Sequence, residues 1–324
     1  MKPDARIYVA GHRGLAGSAI TRRLQALGYR NLIVRSHAEL DLTEQVSVRQ
    51  LFESERPEYV FLAAARVGGI LANNSYPADF IYSNLVIQAN VIHAAWRCGV
   101  KRLLFLGSSC IYPRDCAQPM KEESLLTGPL EQTNRAYAVA KIAGIEQCWS
   151  YNRQHDTRYL AAMPTNMYGP GDSYDLENSH VLPALIRKVH EAKAQGAAEF
   201  VVWGTGTPKR EFLYSDDMAD AVVFLMRLDE ARYTHLVRAD SRPLINVGYG
   251  EDLSIAALAG LVAQVVGYQG PIRFDTSKPD GTPRKLLDSN RLRSLGWRPR
   301  VGLREGIARA YADFRARVTS TSSG

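Results

Sequence analysis

A tyrosine and a lysine spaced four residues apart are the first side chains of this sequence that suggest chemistry. Tyr137 and Lys141 would share one face of a helix, where the ammonium lowers the pKa of the phenol and lets it exchange a proton near neutral pH. Ser108 follows the apolar run RLLFL and Gly107, so we expect its hydroxyl at the carboxyl end of a strand, within reach of a substrate carbonyl. The Tyr-x-x-x-Lys spacing is common by chance and usually structural, so its weight depends on the serine and on the glycine turn described next.

A glycine turn follows the first apolar run of the chain. Gly11, Gly14 and Gly17 form the pattern G-x-x-G-x-x-G between a strand-like and a helix-like segment. Glycine is needed where the chain turns tightly, where backbone approaches a pyrophosphate and where the helix packs on the strand. The helix N-terminus then offers free N–H groups to the phosphates. A chance cluster of glycines in a loop is the alternative, but this position favours a dinucleotide.

The end of the second strand-like run indicates which dinucleotide binds. An acid there would bind the ribose 2′-hydroxyl of NAD, whereas this chain has Arg35 and Ser36 and no acid until Glu39. With Arg13 in the glycine turn, they form a candidate clamp for the 2′-phosphate of NADPH. Solvated surface arginines are the alternative. Asp41 and Leu42, slightly further on, are candidates for contact with the adenine.

Strand-like and helix-like segments alternate through the first half of the chain and must position these side chains. Such alternation predicts an α/β fold with a Rossmann-type, doubly wound parallel sheet. The predicted strands span residues 6–10, 31–35, 59–64, 102–106 and 159–163, and the helices 15–27, 46–56, 79–98 and 135–151.

The sequence pattern changes near residue 169, where the regular alternation of strand-like and helix-like segments ends. The turn-rich segments that follow predict a smaller α/β substrate-binding lobe over the carboxyl ends of the strands. We assign residues 1–168 and roughly 212–248 to the dinucleotide-binding domain, roughly 169–211 and 249–318 to the smaller lobe, and 319–324 to a disordered tail.

Composition narrows the class of protein. The 324 residues are 46% hydrophobic and 23% charged, which excludes intrinsic disorder and a disulfide-stapled miniprotein. The net charge of +7 suggests anionic partners, but eight arginines and only two acids lie between residues 291 and 318, away from every catalytic candidate. We therefore expect no nucleic-acid partner. With no signal peptide, membrane span or zinc spacing, we expect a cytoplasmic protein without a metal site.

Longer segments carry a family resemblance. The turn, the serine and the Tyr-x-x-x-Lys pair together resemble short-chain dehydrogenases/reductases. The segments AAARVGGILAN, LGSSCIYPRDCAQPMKEESLLTGPLE, PTNMYGPGDSYDLENSHVLPALIRK, WGTGTPKREFLYSDDMA and KPDGTPRKLLD are similar to the GDP-L-fucose synthase family. The resemblance implies an NADPH-dependent enzyme that epimerises GDP-4-keto-6-deoxy-D-mannose at C3 and C5 and reduces its C4 ketone.

The resemblance also implies roles for individual residues. Ser108, Tyr137 and Lys141 fall on the reductase triad, and Cys110 and His180 on the two groups of the epimerisation. A thiolate base and an imidazolium acid on opposite faces would invert a carbon next to the ketone. Cys110 alone would more often be a small buried hydrophobe, and His180 alone a loop or helix-cap residue.

Further site residues follow from the resemblance less securely. The cofactor set comprises Leu15, Ala63, Ala64, Ala65, Leu106, Gly107, Pro164, Asn166, Met167 and again Tyr137, Lys141 and His180. The substrate set comprises Ser108, Lys188, Trp203, Arg210 and Asp280, with Arg284 and Lys285 as weaker candidates. Arginine is common in the family where Lys188 stands, which puts a bidentate contact there in doubt.

Three alternatives remain open at this point. The same chemistry could act on a related GDP-4-keto sugar, such as a colitose or heptose precursor. A dehydratase is disfavoured, because those relatives place acids after the serine where this chain has Cys110. A catalytically silent NADPH-binding regulator would need a broken triad. By analogy with related reductases, the resemblance also implies a homodimer in which the helices predicted over 79–98 and 135–151 form a four-helix bundle with those of a second copy.

Overall fold

A six-stranded parallel sheet forms the centre of the computed structural model, which describes residues 1–176, 179–238, 242–278 and 280–321. The strands are β1 (Ile7–Ala10), β2 (Leu32–Ile33), β3 (Tyr59–Leu62), β4 (Arg102–Leu106), β5 (Tyr159–Pro164), β6 (Asn166–Tyr168), β7 (Phe200–Trp203), β8 (Lys209–Tyr214), β9 (Leu244–Val247), β10 (Asp252–Ser254), β11 (Ile272–Asp275) and β12 (Arg284–Lys285). The central order is β2-β1-β3-β4-β5-β9. The chain reverses direction across the sheet between β1 and β3, so a crevice opens at their carboxyl ends.

Helices cover both faces of this sheet. They are α1 (Leu15–Ala26), α2 (Gln45–Glu55), α3 (Ile70–Ser75), α4 (Pro77–Arg97), α5 (Arg135–His155), α6 (Val181–Ala194), α7 (Ser215–Arg227), α8 (Glu230–Arg238), α9 (Ile255–Val266), α10 (Asn290–Ser294) and α11 (Leu303–Thr321). One apolar core lies between the sheet and α2, α4 and α5, and the other between the sheet and α1, α7 and α8. Continuous apolar strands such as RLLFL require this double cover, because both of their faces are buried. The predicted Rossmann-type fold is confirmed.

The smaller lobe has its own sheet and core. β8 is paired with β6, β10 and β12, while β7 and β11 form a separate parallel pair. α6, α9 and α11 pack around them through buried residues such as Ile186, Leu258 and Ile307. This lobe carries the substrate candidates Lys188, Trp203 and Arg210.

The chain returns to the dinucleotide-binding domain where the sequence predicted only the smaller lobe. Leu292 and Trp297 are buried in the core beneath α1 and α7, and the indole of Trp297 donates a hydrogen bond to Asp220 (Nε1 to Oδ2, 3.0 Å). Leu287 lies in the opposite core. Segment 287–297 therefore packs against the larger domain, because its apolar residues are buried in the two cores of that domain.

Other differences are local. β2 is two residues long rather than five, because it is an edge strand that pairs only with the short β1. α5 continues to His155 and ends at Asp156 in the left-handed conformation (φ 56°). α11 runs to Thr321, so the first three residues of the predicted tail are helical, and 322–324 lie outside the described residues.

No helix in the described ranges combines the length and the apolar character needed to cross a bilayer.

Candidate active site

The glycine turn packs tightly between β1, α1 and the loop after β3. A Cβ on Gly17 would lie 2.1 Å from the carbonyl oxygen of Gly11, and one on Gly11 would lie 2.8 Å from the backbone nitrogen of Ala64. Gly11 also has a positive φ of 84°, so glycine is required at both positions. No side chain caps α1, whose N-cap is Gly14. Among the described residues, Nδ1 of His12 is a buried polar atom without a hydrogen-bond partner. These features fit a pyrophosphate at the helix N-terminus.

The candidate clamp for a 2′-phosphate is engaged with acidic groups. The backbone N–H and the hydroxyl of Ser36 both donate to Oε2 of Glu39, at 2.7 and 2.6 Å. Arg35 forms an ion pair with Glu55, and Arg13 is exposed. The hydrogen bonds with Ser36 are the main cause that lowers the pKa of Glu39, and Arg35 and Arg13 add to it. Arg35 and Arg13 therefore both act on the carboxylate of Glu39, and their contact with a 2′-phosphate stays a prediction.

The two candidates for contact with adenine already interact with other parts of the protein. The carboxylate of Asp41 accepts hydrogen bonds from the N–H and hydroxyl of Thr43, at 2.9 and 2.7 Å. The side chain of Leu42 is buried in the core, and its carbonyl accepts a hydrogen bond from Asn90. Contact between adenine and these two residues remains a prediction.

The other cofactor candidates gather at the carboxyl ends of neighbouring parallel strands. This set is Ala63, Ala64 and Ala65 after β3, Leu106 and Gly107 at the end of β4, and Pro164, Asn166 and Met167 at β5 and β6; Leu15 begins α1. A Cβ on Gly107 would lie 2.0 Å from Cε of Met163, so the chain passes closely between strands here. The side-chain amide of Asn166 donates to the carbonyl of Glu211 at 2.9 Å.

Ser108, Cys110, Tyr137 and Lys141 meet above β4. Ser108 is the N-cap of a short 3-10 turn, where its hydroxyl accepts a hydrogen bond from the N–H of Cys110 (3.4 Å). The phenol of Tyr137 hydrogen-bonds to Ser108. Nζ of Lys141 donates to the carbonyl of Leu106 at 2.8 Å and lies 5.6 Å from the Tyr137 ring centroid.

Burial changes the expected acidity of the triad. It lowers the pKa of Lys141 to about 8, and it raises the pKa of Tyr137 above its ordinary value, opposed by the hydrogen bond with Ser108. The near-neutral acidity of the phenol that the spacing with Lys141 predicted is not found in the resting site, where the pKa of Tyr137 is raised instead. The reason is that desolvation dominates, while Lys141 is bonded to a carbonyl.

Cys110 follows β4 of the larger domain and His180 precedes α6 of the smaller lobe, and the ammonium of Lys285 acts on both. Burial raises the pKa of the Cys110 thiol, while Ser108, Lys285 and Lys141 oppose the rise. His180 is the N-cap of α6 and reaches the open cleft; the surrounding protein lowers its pKa, and so does the ammonium of Lys285. The sequence predicted a thiolate and an imidazolium. The structure instead favours a thiol and a neutral imidazole in the resting site, because both groups are desolvated.

The substrate candidates line the side of the cleft formed by the smaller lobe. Trp203 is 57% exposed, and its ring lies near two ammoniums, those of Lys188 (4.6 Å) and Lys278 (5.7 Å). Arg210 on β8 is partly buried, which lowers its pKa, while Asp280 opposes that change. The carboxylate of Asp280 itself accepts hydrogen bonds from the N–H and hydroxyl of Thr205, at 2.9 and 2.6 Å.

Two lysines are more prominent in the structure than in the sequence interpretation. Lys278 was missed, and Lys285 was only a weak candidate with a solvated loop as the alternative. Lys285 lies on β12 opposite Arg210 of β8, and its charge acts on both Cys110 and His180. The buried pair Leu286 and Leu287 directly after it was the available signal of a short strand. Its companion Arg284 is ion-paired with Asp252.

A sequence profile described as the NAD dependent epimerase/dehydratase family matches residues 7–237. The chain belongs to this family. The matched residues include both the glycine turn and the Ser108–Tyr137–Lys141 cluster.

Individual relatives within the epimerase/dehydratase family are more specific. The chain is 58% identical over 308 residues to GDP-L-fucose synthase 1 of Arabidopsis thaliana, covering 95% of this chain and 92% of that protein. A solved GDP-6-OMe-4-keto-L-xylo-heptose reductase from C. jejuni is 38% identical with a TM-score of 0.92, covering 98% and 99% of the two chains. A GDP-L-fucose synthetase from Naegleria fowleri bound to NADP is 28% identical with a TM-score of 0.89, covering 99% and 95%.

These matches confirm the family resemblance predicted from the motifs and the prediction of an enzyme. A nicotinamide dinucleotide is the cofactor that the family implies, and the glycine turn fits its pyrophosphate.

Proposed function

We propose that this protein catalyses the NADPH-dependent 3,5-epimerisation and 4-keto reduction of GDP-4-keto-6-deoxy-D-mannose to GDP-L-fucose. The observation that carries the proposal is the position of the Cys110 thiol beside Ser108 and the Tyr137 phenol, with the charge of Lys285 acting both on this thiol and on His180 at the start of α6. A plain ketoreductase needs only the serine, tyrosine and lysine. The additional thiol and imidazole supply the two proton-transfer groups that inversion of a carbon requires.

Epimerisation uses the acidity of protons next to the ketone. A base removes the proton from C3 or C5, the C–H electron pair moves to the C4 oxygen, and the resulting enolate accepts hydrogen bonds from Ser108 and Tyr137. A second group returns a proton to the opposite face of the same carbon. Cys110 and His180 are suited to these two roles because they approach from different lobes.

Reduction follows at the same carbonyl. Bound NADPH supplies a hydride to C4. Tyr137 gives its proton to the C4 oxygen, and the nearby ammonium of Lys141 stabilises the phenolate that is left. With a pKa of about 8, Lys141 is mostly charged at neutral pH and can play this part.

The preference for NADPH rests on Arg13 and Arg35, two guanidiniums near the end of β2. Binding of a 2′-phosphate here requires Glu39 to release Ser36, since the carboxylate occupies both donors of that residue. The NADP-bound relative supports this choice of cofactor.

Recognition of the GDP moiety is assigned to the smaller lobe. Arg210 and Lys188 meet the diphosphate, and the exposed indole of Trp203 stacks on a base or covers a sugar. The carboxylate of Asp280 either keeps its bonds to Thr205 and shapes the turn or exchanges them for the nucleotide.

The second candidate function is the same chemistry on a related GDP-4-keto sugar, for example a heptose or colitose precursor. The similarity to the heptose reductase supports it, because that protein shares the whole length of this chain. A silent regulator is disfavoured, since Ser108, Cys110, Tyr137, Lys141 and His180 are all present in the chain.

The test measures deuterium incorporation and product together. The enzyme is incubated in D2O with GDP-4-keto-6-deoxy-D-mannose, with and without NADPH, and the sugar is analysed by NMR and mass spectrometry. We expect deuterium at C3 and C5 and, with NADPH, GDP-L-fucose. Cys110→Ser should lose the exchange and retain NADPH binding. Reduction without any exchange would overturn the epimerase assignment, and the heptose or colitose precursor turning over faster would favour the second candidate.

We further propose a homodimer that forms through α4 and α5. These two helices pack against each other on one face of the sheet and expose Tyr82 (64%) and Val139 (38%). Sedimentation analysis tests it: a monomer mass at micromolar concentration would contradict the proposal.

A further inference from the structure

The short strand β12 holds Lys285 at a fixed place between the two lobes. Its backbone is bonded on both sides: the N–H of Lys209 donates to Pro283 (2.8 Å), and the N–H of Leu287 donates to Oε2 of the buried Glu211 (3.0 Å). The register places Lys285 opposite Arg210.

The loop that follows Cys110 is bonded to the same strand. The N–H of Met120 donates to the carbonyl of Leu286 (2.7 Å), and the N–H of Leu286 donates to Oε1 of Gln118 (2.9 Å). The segment carrying the thiol and the segment carrying the ammonium are therefore joined by backbone hydrogen bonds. Their separation is fixed by the fold rather than by two flexible side chains.

The side chain of Lys285 is partly buried, and the carboxylate of Glu131 acts on its charge without an ion pair between the two being found. It lines one small cavity together with Cys110 and Glu131. Within the described residues it takes part in no ion pair, whereas its neighbour Arg284 is paired with Asp252. Burial lowers the pKa of Lys285, and Arg210 lowers it further. A buried cation without a partner is costly, so it indicates an anion that forms nearby.

The other groups that influence the acidity of Cys110 from the larger domain already have hydrogen-bond partners. The hydroxyl of Ser108 accepts a hydrogen bond from the N–H of Cys110 and helps to lower the pKa of its thiol, and Lys141 donates a hydrogen bond to the carbonyl of Leu106 and has a pKa of about 8. On the side of the smaller lobe, Lys285 is faced by Arg210, His180 and, more distantly, Glu131. Lys285 is the cation of that lobe whose charge acts on the sulfur.

On the basis of the proposed epimerisation, we infer that Lys285 is a positioning residue that acts through Cys110, its ammonium stabilising the thiolate that removes a proton from the sugar. When the thiol ionises, the Sγ–H bond breaks, the proton passes to solvent and the electron pair stays on sulfur. The ammonium then becomes the counter-ion of that sulfur. The thiolate is favoured only where the smaller lobe places Lys285 against the dinucleotide-binding domain.

The first experiment needs no substrate. Full-length protein is alkylated with iodoacetamide across a pH series, and the Cys110 peptide is quantified by mass spectrometry; the thiolate displaces iodide, so the rate reports ionisation. Lys285→Met should raise the apparent pKa of Cys110 and cut its alkylation at neutral pH about tenfold, which corresponds to about one pKa unit. Lys285→Arg should restore the profile of the wild type.

Two controls separate this effect from a general disturbance. Lys209→Met makes the same change at an exposed lysine on the neighbouring strand and should leave the Cys110 profile unchanged. Cys116 is an internal reference, because its thiol is shifted by burial and Asp115 and not by Lys285. If Lys285→Met is unfolded by circular dichroism, Lys285→Gln is used, and the thiolate is followed by its ultraviolet absorbance relative to Cys110→Ser.

The second experiment measures deuterium exchange into GDP-4-keto-6-deoxy-D-mannose. Lys285→Met should slow exchange at C3 and C5 about tenfold and move its pH profile to higher pH. An unshifted Cys110 profile in Lys285→Met would overturn the inference, even if exchange falls. No exchange by the wild-type enzyme together with a shifted Cys110 profile would instead refute the proposed function and retain the electrostatic pairing.

Discussion

Lys141, Cys110 and His180 each lie where the surrounding protein disfavours their charged forms. The pKa of Lys141 falls to about 8, that of Cys110 rises and that of His180 falls, and desolvation is the first cause in all three. Charges in this cleft are therefore formed when an anionic substrate, a dinucleotide or an enolate supplies a partner. Proton transfer in the cleft therefore depends on the arrival of such a partner, which moves each group toward its charged form.

Glu39 gives a prediction at the scale of one residue. Its carboxylate takes both donors of Ser36 and would repel the 2′-phosphate of NADPH. Glu39→Gln removes the charge, so we expect the dissociation constant of NADPH to fall about fivefold, a size typical of one exposed charge interaction. That of NADH, which has no 2′-phosphate, should change little. Fluorescence titration of both dinucleotides measures this difference.

The control for this prediction is Glu53→Gln, which removes an acid exposed on α2 and paired with Arg49. It should alter neither dissociation constant. Equal tightening of NADH and NADPH by Glu39→Gln would contradict the explanation, because the gain would then not depend on the 2′-phosphate.

At the scale of the element, β8 is hydrogen-bonded to three other segments of the chain at Glu211. Glu211 is fully buried, and its carboxylate accepts hydrogen bonds from the N–H groups of Gly250 (2.6 Å) and Leu287 (3.0 Å). Its carbonyl accepts a hydrogen bond from the hydroxyl of Thr165 at the end of β5. Three segments of the chain thus meet at one residue next to Arg210.

Replacing Glu211 should loosen this junction. Glu211→Gln has nearly the same shape but one acceptor oxygen instead of two, so one N–H loses its partner. We expect a loss of about 1–3 kcal/mol in the free energy of unfolding, measured with urea, and a higher KM for the GDP-sugar because β12 moves. Glu251→Gln, at an exposed acid beyond β9, should change neither. An unchanged KM in a destabilised Glu211→Gln would contradict the positional role.

The elements differ in how far the sequence could predict them. Apolar runs such as RLLFL and the glycine turn were sufficient to predict β4 and the start of α1. Each is a local pattern whose structure depends little on the rest of the chain. The strand β12 left only a weak signal, the apolar pair Leu286 and Leu287 directly after it, since two residues carry no periodicity and pair through β8. The bond from Ser36 to Glu39 and the return of Trp297 to the larger domain likewise depend on contacts that spacing does not encode.

At the scale of the molecule, the basic C-terminal region has a structural use. The sequence suggested a solvated charged face. Instead, Arg291 donates to the carbonyl of Leu244 (2.8 Å) and Arg293 to that of Tyr249 (3.0 Å), so the two guanidiniums bind the backbone at the start of β9 and just after its end. On α11, Arg309 and Arg317 form ion pairs with Glu305 and Asp313. Part of the net charge therefore fastens the C-terminal segment to the rest of the chain.

Asp172 makes the stability of the whole molecule depend on pH. It is buried between the glycine turn and α11, its Oδ1 accepts a hydrogen bond from the N–H of Ser173 (2.8 Å), and among the described residues Oδ2 is buried without a partner. Burial raises its pKa from 3.8 to about 7; Arg317 opposes this and Asp313 adds to it. Between these values the folded protein binds more protons than the unfolded chain. Stability therefore falls as pH rises through this range, and the loss is complete above pH 7.

Asp172→Asn should remove this dependence while keeping the shape of the side chain. Relative to the wild type, we expect the variant to be more stable at pH 8, by up to about 4 kcal/mol in the free energy of unfolding, and the difference to shrink toward pH 4. Urea unfolding of both proteins at pH 5 and pH 8 measures it, with Asp115→Asn as a control at an exposed acid. A variant less stable than the wild type at pH 8 would contradict this prediction. It would mean that the attraction between the charged Asp172 and Arg317 of α11 stabilises the fold by more than the burial of that charge costs.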